Sequence, residues 1–129
     1  MIGPRTKSAI GALHWTVGLV VLLEAYRTFH GTLARLHDAG HPGALTAVRL
    51  VLSGSEIIAV LLFLIPVTAA AGGYALLVVF ALAIAIHGLH GDFAGLEILM
   101  LYGAAVFVSL AERAEAALPP PAKIQRGIE

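Results

Sequence analysis

The uncharged run IIAVLLFLIPVTAAAGGYALLVVFALAIAI, residues 57–86, decides the fold of this chain. As one α-helix it would be about 45 Å long at ~1.5 Å per residue. The hydrocarbon core of a bilayer is only about 30 Å thick. Pro66 and the glycines Gly72 and Gly73 interrupt the run, and both residue types punctuate helices. The run therefore predicts two transmembrane helices joined by a tight, uncharged turn.

The composition of the whole chain favours a membrane protein. Its 129 residues are 59% hydrophobic and 12% charged, whereas soluble domains carry about 25% charged residues. The mean hydropathy is +0.91. The formal net charge of zero gives no support to a nucleic-acid partner. Because the chain has no cysteine, disulfides, thiolate metal ligands and iron–sulfur ligation by this chain are excluded.

Apolar segments on both sides of this hairpin predict two further spans, so the fold class is an all-α, four-transmembrane-helix bundle. The predicted spans are residues 9–29, 45–67, 73–90 and 94–110. Between the first two, residues 31–43 predict a short amphipathic surface helix that ends at Gly40 and Pro42. We expect residues 1–117 to form the transmembrane domain and residues 118–129 a proline-rich cytoplasmic tail.

Four spans place both termini on the same side of the membrane. Five basic residues belong to that side: Arg5, Lys7, Arg113, Lys123 and Arg126. The positive-inside rule therefore predicts cytoplasmic termini. His14 lies beside Trp15 near the cytoplasmic end of helix 1, a position typical of an interfacial anchor.

In this topology the polar residues of the spans gather in the outer half of the bundle. They are Glu24, Arg27 and His30 on helix 1, Arg49 and Glu56 on helix 2, His87 and His90 on helix 3, and Glu97 and Tyr102 on helix 4. Residues three apart on a helix share a face. Ionisable groups inside a bilayer are costly and by default indicate a functional site.

Each group has a functional and a structural interpretation. Glu56, which lies about two to three turns inside helix 2, suits a proton relay or a hydrogen bond to a quinone carbonyl. It equally suits a structural ion pair with Arg27. His87 and His90, with His30 as the partner from another helix, are candidate ligands of a metal ion or a b-type haem. The alternative is that they are solvated histidines at helix ends.

Four features together give the chain a recognisable pattern. They are a basic residue near the end of helix 1 (Arg27), a glutamate inside helix 2 (residues 55–64), histidines ending helix 3, and Gly95-x-Glu97 opening helix 4. In these the chain resembles the DoxX-like family of four-helix membrane proteins over residues 10–110. The resemblance implies a multi-pass protein of the bacterial inner membrane that works with redox enzymes. One branch of that family resembles the quinone-reducing subunit of thiosulfate oxidation.

The leading hypothesis is therefore a membrane subunit of a quinone-linked redox complex. Its site residues divide into a proton-transfer set, Glu24, Glu56, His87 and Glu97, and a cofactor-binding set, Arg27, His30, His90 and Tyr102. A second hypothesis is a non-catalytic scaffolding subunit of a larger membrane complex. A third is a bundle that binds haem or a metal ion. The expected partners are the lipid bilayer and other protein subunits.

Overall fold

The computed structural model describes residues 4–40, 43–91 and 93–118, and only the backbone of residues 4–7 and 39. The secondary structure of these residues is four helices: α1 Pro4–Ala39, α2 Ala44–Leu64, α3 Ala69–Leu89 and α4 Leu96–Ala117. This confirms the predicted all-α class with four helices.

The helices form a ring in which each helix packs against two neighbours. α1 contacts α2 and α4, and α3 contacts the same two helices, whereas the diagonal pairs do not meet in the described part of the chain. The short connections make sequential neighbours antiparallel. We call the end that carries the α2–α3 turn the hairpin end. The opposite end, where α1 joins α2 and α3 joins α4, is the loop end.

Three of the four helices are long and apolar enough to cross a membrane: Ser8–Asp38 within α1, Ala44–Leu64 and Ala69–Leu89. α4 is not among them, and it carries Glu97 in its first turn and Glu112, Arg113 and Glu115 towards its end. Large apolar side chains such as Leu19, Val51 and Val78 are exposed on the outside of the bundle. Such a surface is what lipid-facing helices require, so the chain has the character of a membrane protein.

The prediction that helix 1 ends near Phe29 and is followed by a separate surface helix is wrong. α1 continues through Gly31 as one helix of 36 residues. An interior glycine costs a helix only about 1 kcal/mol, and Gly31 keeps a negative φ. The helix stops at Gly40, whose φ of +69° is the left-handed conformation that glycine adopts after a helix.

The predicted turn between helices 2 and 3 is present but shorter than expected. Pro66 lies in it, and the Thr68 hydroxyl donates a hydrogen bond of 2.8 Å to the Leu62 carbonyl across the turn. Gly72 and Gly73, however, are inside α3 and buried, so the prediction that they break the helix is wrong.

These two glycines serve helix packing instead. A Cβ on Gly72 would collide with the backbone of Phe63 in α2, and a Cβ on Gly73 would lie 2.8 Å from Cδ2 of Leu110 in α4. Small residues allow helices in a membrane to approach closely. Both positions therefore let the neighbours of α3 pack directly against its backbone.

The closely packed core lies towards the hairpin end and receives side chains from all four helices. Its buried members are Val17, Val21, Ala59, Val60, Phe63, Leu76, Phe80, Val106 and Leu110. Dense contact of this kind supplies the packing energy on which a membrane bundle depends. We call this region the packed half.

His14 belongs to the packed half, and its predicted role as an interfacial anchor is wrong. Its side chain is only 6% exposed, and its ring centroid lies 4.1 Å from that of Phe63. Nδ1 of His14 has no hydrogen-bond partner among the described residues. The neighbouring Trp15 is exposed and is the residue that faces outward. At the other end of the chain, α4 continues to Ala117, and the predicted tail beyond Leu118 lies outside the described residues.

Candidate functional site: a polar cavity at the loop end

A cavity of about 630 Å³ opens between the helices on the loop side of the packed half. All four helices line it, together with Ala94 and Gly95 before α4. The charged and polar lining residues are Glu24, Arg27, Thr28, Thr32, Arg35, Arg49, Ser53, Glu56, His87 and Tyr102. The apolar walls include Leu52, Ala83, Ile98 and Leu99. We call this region the hollow half.

The cavity brings together most of the site residues that the sequence predicts. Glu24, Arg27, Glu56, His87 and Tyr102 all line it. Three other predicted residues do not: Glu97, His30 and His90. The hypothesis of one polar cluster therefore holds for its central members but not for these three.

His30, His90 and Glu97 have surroundings of their own. His30 lines a separate groove of about 570 Å³ along α1 with Leu33, His37 and Asp38. His90 is exposed at the end of α3, and Glu97 is exposed in the first turn of α4. The stripe of α1 that faces the cavity runs through Glu24, Thr28, Gly31 and Arg35. His30 is one position before Gly31 and so turns about 100° away from the cavity.

The contacts between α1 and α2 set which residues lie at the same depth. Gly18 meets Leu64, and a Cβ on Gly54 would lie 3.7 Å from the Phe29 ring. In this antiparallel register Arg35 lies level with Arg49, and Arg27 lies level with Glu56. The two levels are eight residues apart on α1, or about 12 Å.

The other two helices contribute to the same two levels. Gly72 of α3 packs on Phe63 of α2, and the Phe80 ring lies 6.5 Å from that of Tyr102 on α4. This register places His87 level with Arg49 and Tyr102 level with Glu56. We call Arg27, Glu56 and Tyr102 the deep tier. Arg35, Arg49 and His87 form the entrance tier, which is nearer the loop end.

Local hydrogen bonds orient several of the lining groups. The Ser53 hydroxyl donates to the Arg49 carbonyl at 2.7 Å, and the Thr32 hydroxyl donates to the Thr28 carbonyl at 2.7 Å. The His87 ring lies with Nδ1 2.8 Å from the Ala83 carbonyl. Because a carbonyl only accepts hydrogen bonds, Nδ1 carries the proton. In this tautomer Nε2 is left as an acceptor.

The charged groups of the cavity are not paired with one another. In the part of the chain that the structure describes, Arg27, Arg35, Arg49, Glu24 and Glu56 make no ion pair and no side-chain hydrogen bond. The structural ion pair between Glu56 and Arg27 is therefore not formed. Glu24 is instead close enough to Glu56 for the two carboxyls to interact electrostatically. Glu24 and the three arginines are exposed, whereas Glu56 is half-buried. An unpaired carboxyl inside an apolar helix is costly and by default indicates a functional site.

The candidate metal ligands do not converge. Among the described residues no group of three or more His, Asp or Glu side chains is arranged to hold a metal ion. His87 faces the cavity, His30 faces the groove on α1, and His90 is exposed. The donors that the cavity itself offers are one imidazole and two carboxyls.

Arg35, Arg49, Ser53, Thr28 and Thr32 are lining residues that were not predicted as part of the site. Arg35 was expected in the loop after helix 1 and Arg49 near the outer end of helix 2, and the unbroken α1 is what carries Arg35 to the cavity. The sequence does hold a sign of this position, since Arg27, Gly31 and Arg35 are spaced four residues apart. If the helix continues through Gly31, this spacing puts Arg35 on the same face of α1 as Arg27.

The fold and the cavity define a class: a membrane-type four-helix bundle with a closely packed half and a polar, hollow half. Comparison with protein-family models, with characterised proteins and with solved structures finds no match to this chain.

Proposed function

We propose that this protein is a multi-pass subunit of a redox complex in a bacterial inner membrane, and that its hollow half binds a quinone and exchanges protons with it. In this proposal α4 forms the fourth span. The hairpin end faces the cytoplasm, since the basic residues near both termini belong to that side. The link to redox enzymes rests on the resemblance of the sequence to the DoxX-like family.

The observation that carries the proposal is the composition of the deep tier. A carboxyl, a guanidinium and a phenol (Glu56, Arg27 and Tyr102) surround one space beside the apolar walls of Leu52 and Leu99. A quinone head is complementary to this combination, because its flat ring fits apolar walls and its two carbonyl oxygens accept hydrogen bonds. The cavity volume of about 630 Å³ also falls in the range of about 300–1,000 Å³ that is typical of small-molecule sites.

Each lining group would have its own role in quinone reduction. Reduction to the quinol consumes two electrons and two protons. A partner oxidoreductase would supply the electrons, since this chain has no thiol with which to hold an iron–sulfur cluster. Arg27 and Tyr102 would donate hydrogen bonds to a carbonyl oxygen, and Glu56 would deliver a proton to it. Nε2 of His87 would pass protons from the entrance tier.

The test is direct binding of a short-chain benzoquinone and a short-chain naphthoquinone to the purified, reconstituted protein. We expect Glu56→Gln and Tyr102→Phe to raise the Kd at least about tenfold, which corresponds to roughly 1.4 kcal/mol. Tyr26→Phe is the matched control, because Tyr26 is 55% exposed on α1 and does not line the cavity. We expect it to bind like the wild type.

Three results would count against the proposal. Unchanged Kd values in both cavity variants would contradict quinone binding at this site. Loss of co-purifying subunits in those variants, with quinone affinity retained, would favour the scaffolding hypothesis. A haem absorption band or stoichiometric metal in the purified protein would favour the third hypothesis.

A further inference from the structure

The entrance tier differs from the deep tier in its charge, because the deep tier combines Arg27 with the carboxyl of Glu56 whereas the entrance tier carries two arginines. Arg35 projects from α1 and Arg49 from α2 at the same level, and His87 faces them from α3. The carboxyls that line the cavity lie deeper: Glu56 is about 10 Å from the level of Arg49 along α2, and Glu24 is about 16 Å from the level of Arg35 along α1. Among the described lining residues the entrance tier therefore has two cations and no anion.

Neither arginine has an internal partner that would explain its position. Arg35 and Arg49 make no ion pair or side-chain hydrogen bond within the described part of the chain. The planar guanidinium group offers several donors in a fixed fork that matches the oxygens of a phosphate or a carboxylate. Two such forks across one opening, with an imidazole beside them, can surround a single oxyanion.

The depth of the entrance tier suits a lipid headgroup. α2 is 21 residues long, or about 31 Å, which matches the thickness of the hydrocarbon core. Arg49 lies five residues after the start of α2, or about 7 Å along the helix. An arginine so close to the end of a span can reach the headgroup region.

We propose that the entrance tier is a second site, separate from the quinone site, that binds one oxyanion through Arg35 and Arg49. The ligand is the phosphate of an anionic lipid headgroup, or the same group as a free anion. This site goes beyond the proposed function, because a neutral quinone carbonyl does not require two arginines. The distance of about 12 Å between the tiers leaves room for each ligand to bind without the other.

The test measures thermal unfolding of the delipidated, detergent-solubilised protein with three probes: phosphatidylglycerol, phosphatidylcholine and inorganic phosphate. A ligand that binds only the folded state raises the Tm in proportion to the logarithm of its concentration over its Kd. We expect phosphatidylglycerol to raise the Tm of the wild type, and phosphatidylcholine to leave it unchanged. A rise with inorganic phosphate alone, as large as that with phosphatidylglycerol, would identify the free anion as the ligand.

Substituted proteins show which residues are responsible for the rise in Tm. In R35Q/R49Q we expect the response to phosphatidylglycerol to be lost, and in R35K/R49K to be weakened, since lysine keeps the charge but not the fork. R113Q, on α4 near the hairpin end, is the control and should respond like the wild type. Glu56→Gln should also keep the response, which separates this site from the quinone site. An equal Tm rise in R35Q/R49Q and the wild type would overturn the proposal, as would a wild type that responds to neither anion.

Discussion

The two halves of this bundle use the same kinds of residue in opposite ways. In the packed half Gly18, Gly72 and Gly73 lie against neighbouring helices, and a Cβ on any of them would strike another residue. In the hollow half a Cβ on Gly31 or Gly88 would meet nothing within 4 Å. The first group brings helices into contact, whereas Gly31 widens a cavity.

The packed half therefore supplies stability, and the hollow half supplies the space for a ligand. The packed half buries at least two large apolar side chains from every helix, and Phe63, Leu76, Val21 and Val106 are fully inaccessible. The hollow half holds five charged side chains without ion pairs. Close packing at one end can offset the cost of keeping charged, unpaired groups at the other, as binding sites commonly require. We therefore expect substitutions in the two halves to have different consequences.

The largest effect is expected at the closest helix contact. Gly72→Leu would drive a side chain into the backbone of Phe63, which cannot rotate away as a side chain can. Overpacking a core usually costs about 1–3 kcal/mol, and more when the backbone must move. We expect no folded, monodisperse protein by fluorescence-detected size-exclusion chromatography. Gly88→Leu on the same helix is the control and should fold normally. Equal behaviour of the two variants would show that the packed half is not closely packed.

A smaller loss is expected when the centre of the packed half is emptied. Phe63 is 0% exposed and contacts the His14 ring, whereas Phe107 is 63% exposed on the outside of α4. Removing a buried phenylalanine costs about 3–5 kcal/mol. Phe63→Ala should therefore lower the Tm strongly, and Phe107→Ala should change it little. A larger decrease for Phe107→Ala would place the core elsewhere.

The smallest effect on stability, with a clear effect on binding, is expected in the hollow half. Gly31→Leu fills the wall of the cavity between the two tiers without changing any charge. Replacing a helix-interior glycine should keep the free energy of unfolding within about 1 kcal/mol of the wild type or raise it. Quinone affinity should nevertheless fall at least about tenfold. Gly11→Leu is the matched control on α1, where a Cβ also meets nothing but no cavity is lined. A Gly31→Leu protein that binds normally would contradict the assigned wall.

Much of the fold could be predicted from the sequence, because hydrophobic length is a local property. The uncharged run of residues 57–86 is too long for one span, and the structure indeed divides it at Pro66. The structural roles of the glycines could not be predicted from the sequence in the same way. Gly72 and Gly73 were predicted to interrupt the uncharged run, and helix 1 was predicted to end before Gly31, yet all three glycines lie inside helices. Whether a glycine ends a helix or opens space on its face depends on the helix beside it.

The candidate site, like the fold, could be predicted only in part from the sequence. The costly residue Glu56 was identified from its position in an apolar helix, and the cavity contains it. The grouping of Arg35 and Arg49 depends on the register between α1 and α2, which the sequence of either helix alone does not specify. His14 was misjudged for a related reason, since its burial comes from Phe63 on α2.

The most direct test of a packed half and a hollow half uses the absence of cysteine from this chain. Three single variants are placed in nanodiscs and exposed to a small, charged methanethiosulfonate, which needs water to reach a thiolate. Thr28→Cys lines the cavity, Ser109→Cys replaces a serine that is 2% exposed in the packed half, and Val78→Cys lies on the exposed outside of α3. We predict rapid labelling of Thr28→Cys and no labelling of the other two. An unreactive Thr28→Cys, or a Ser109→Cys that reacts as fast, would contradict the division of the bundle into these two halves.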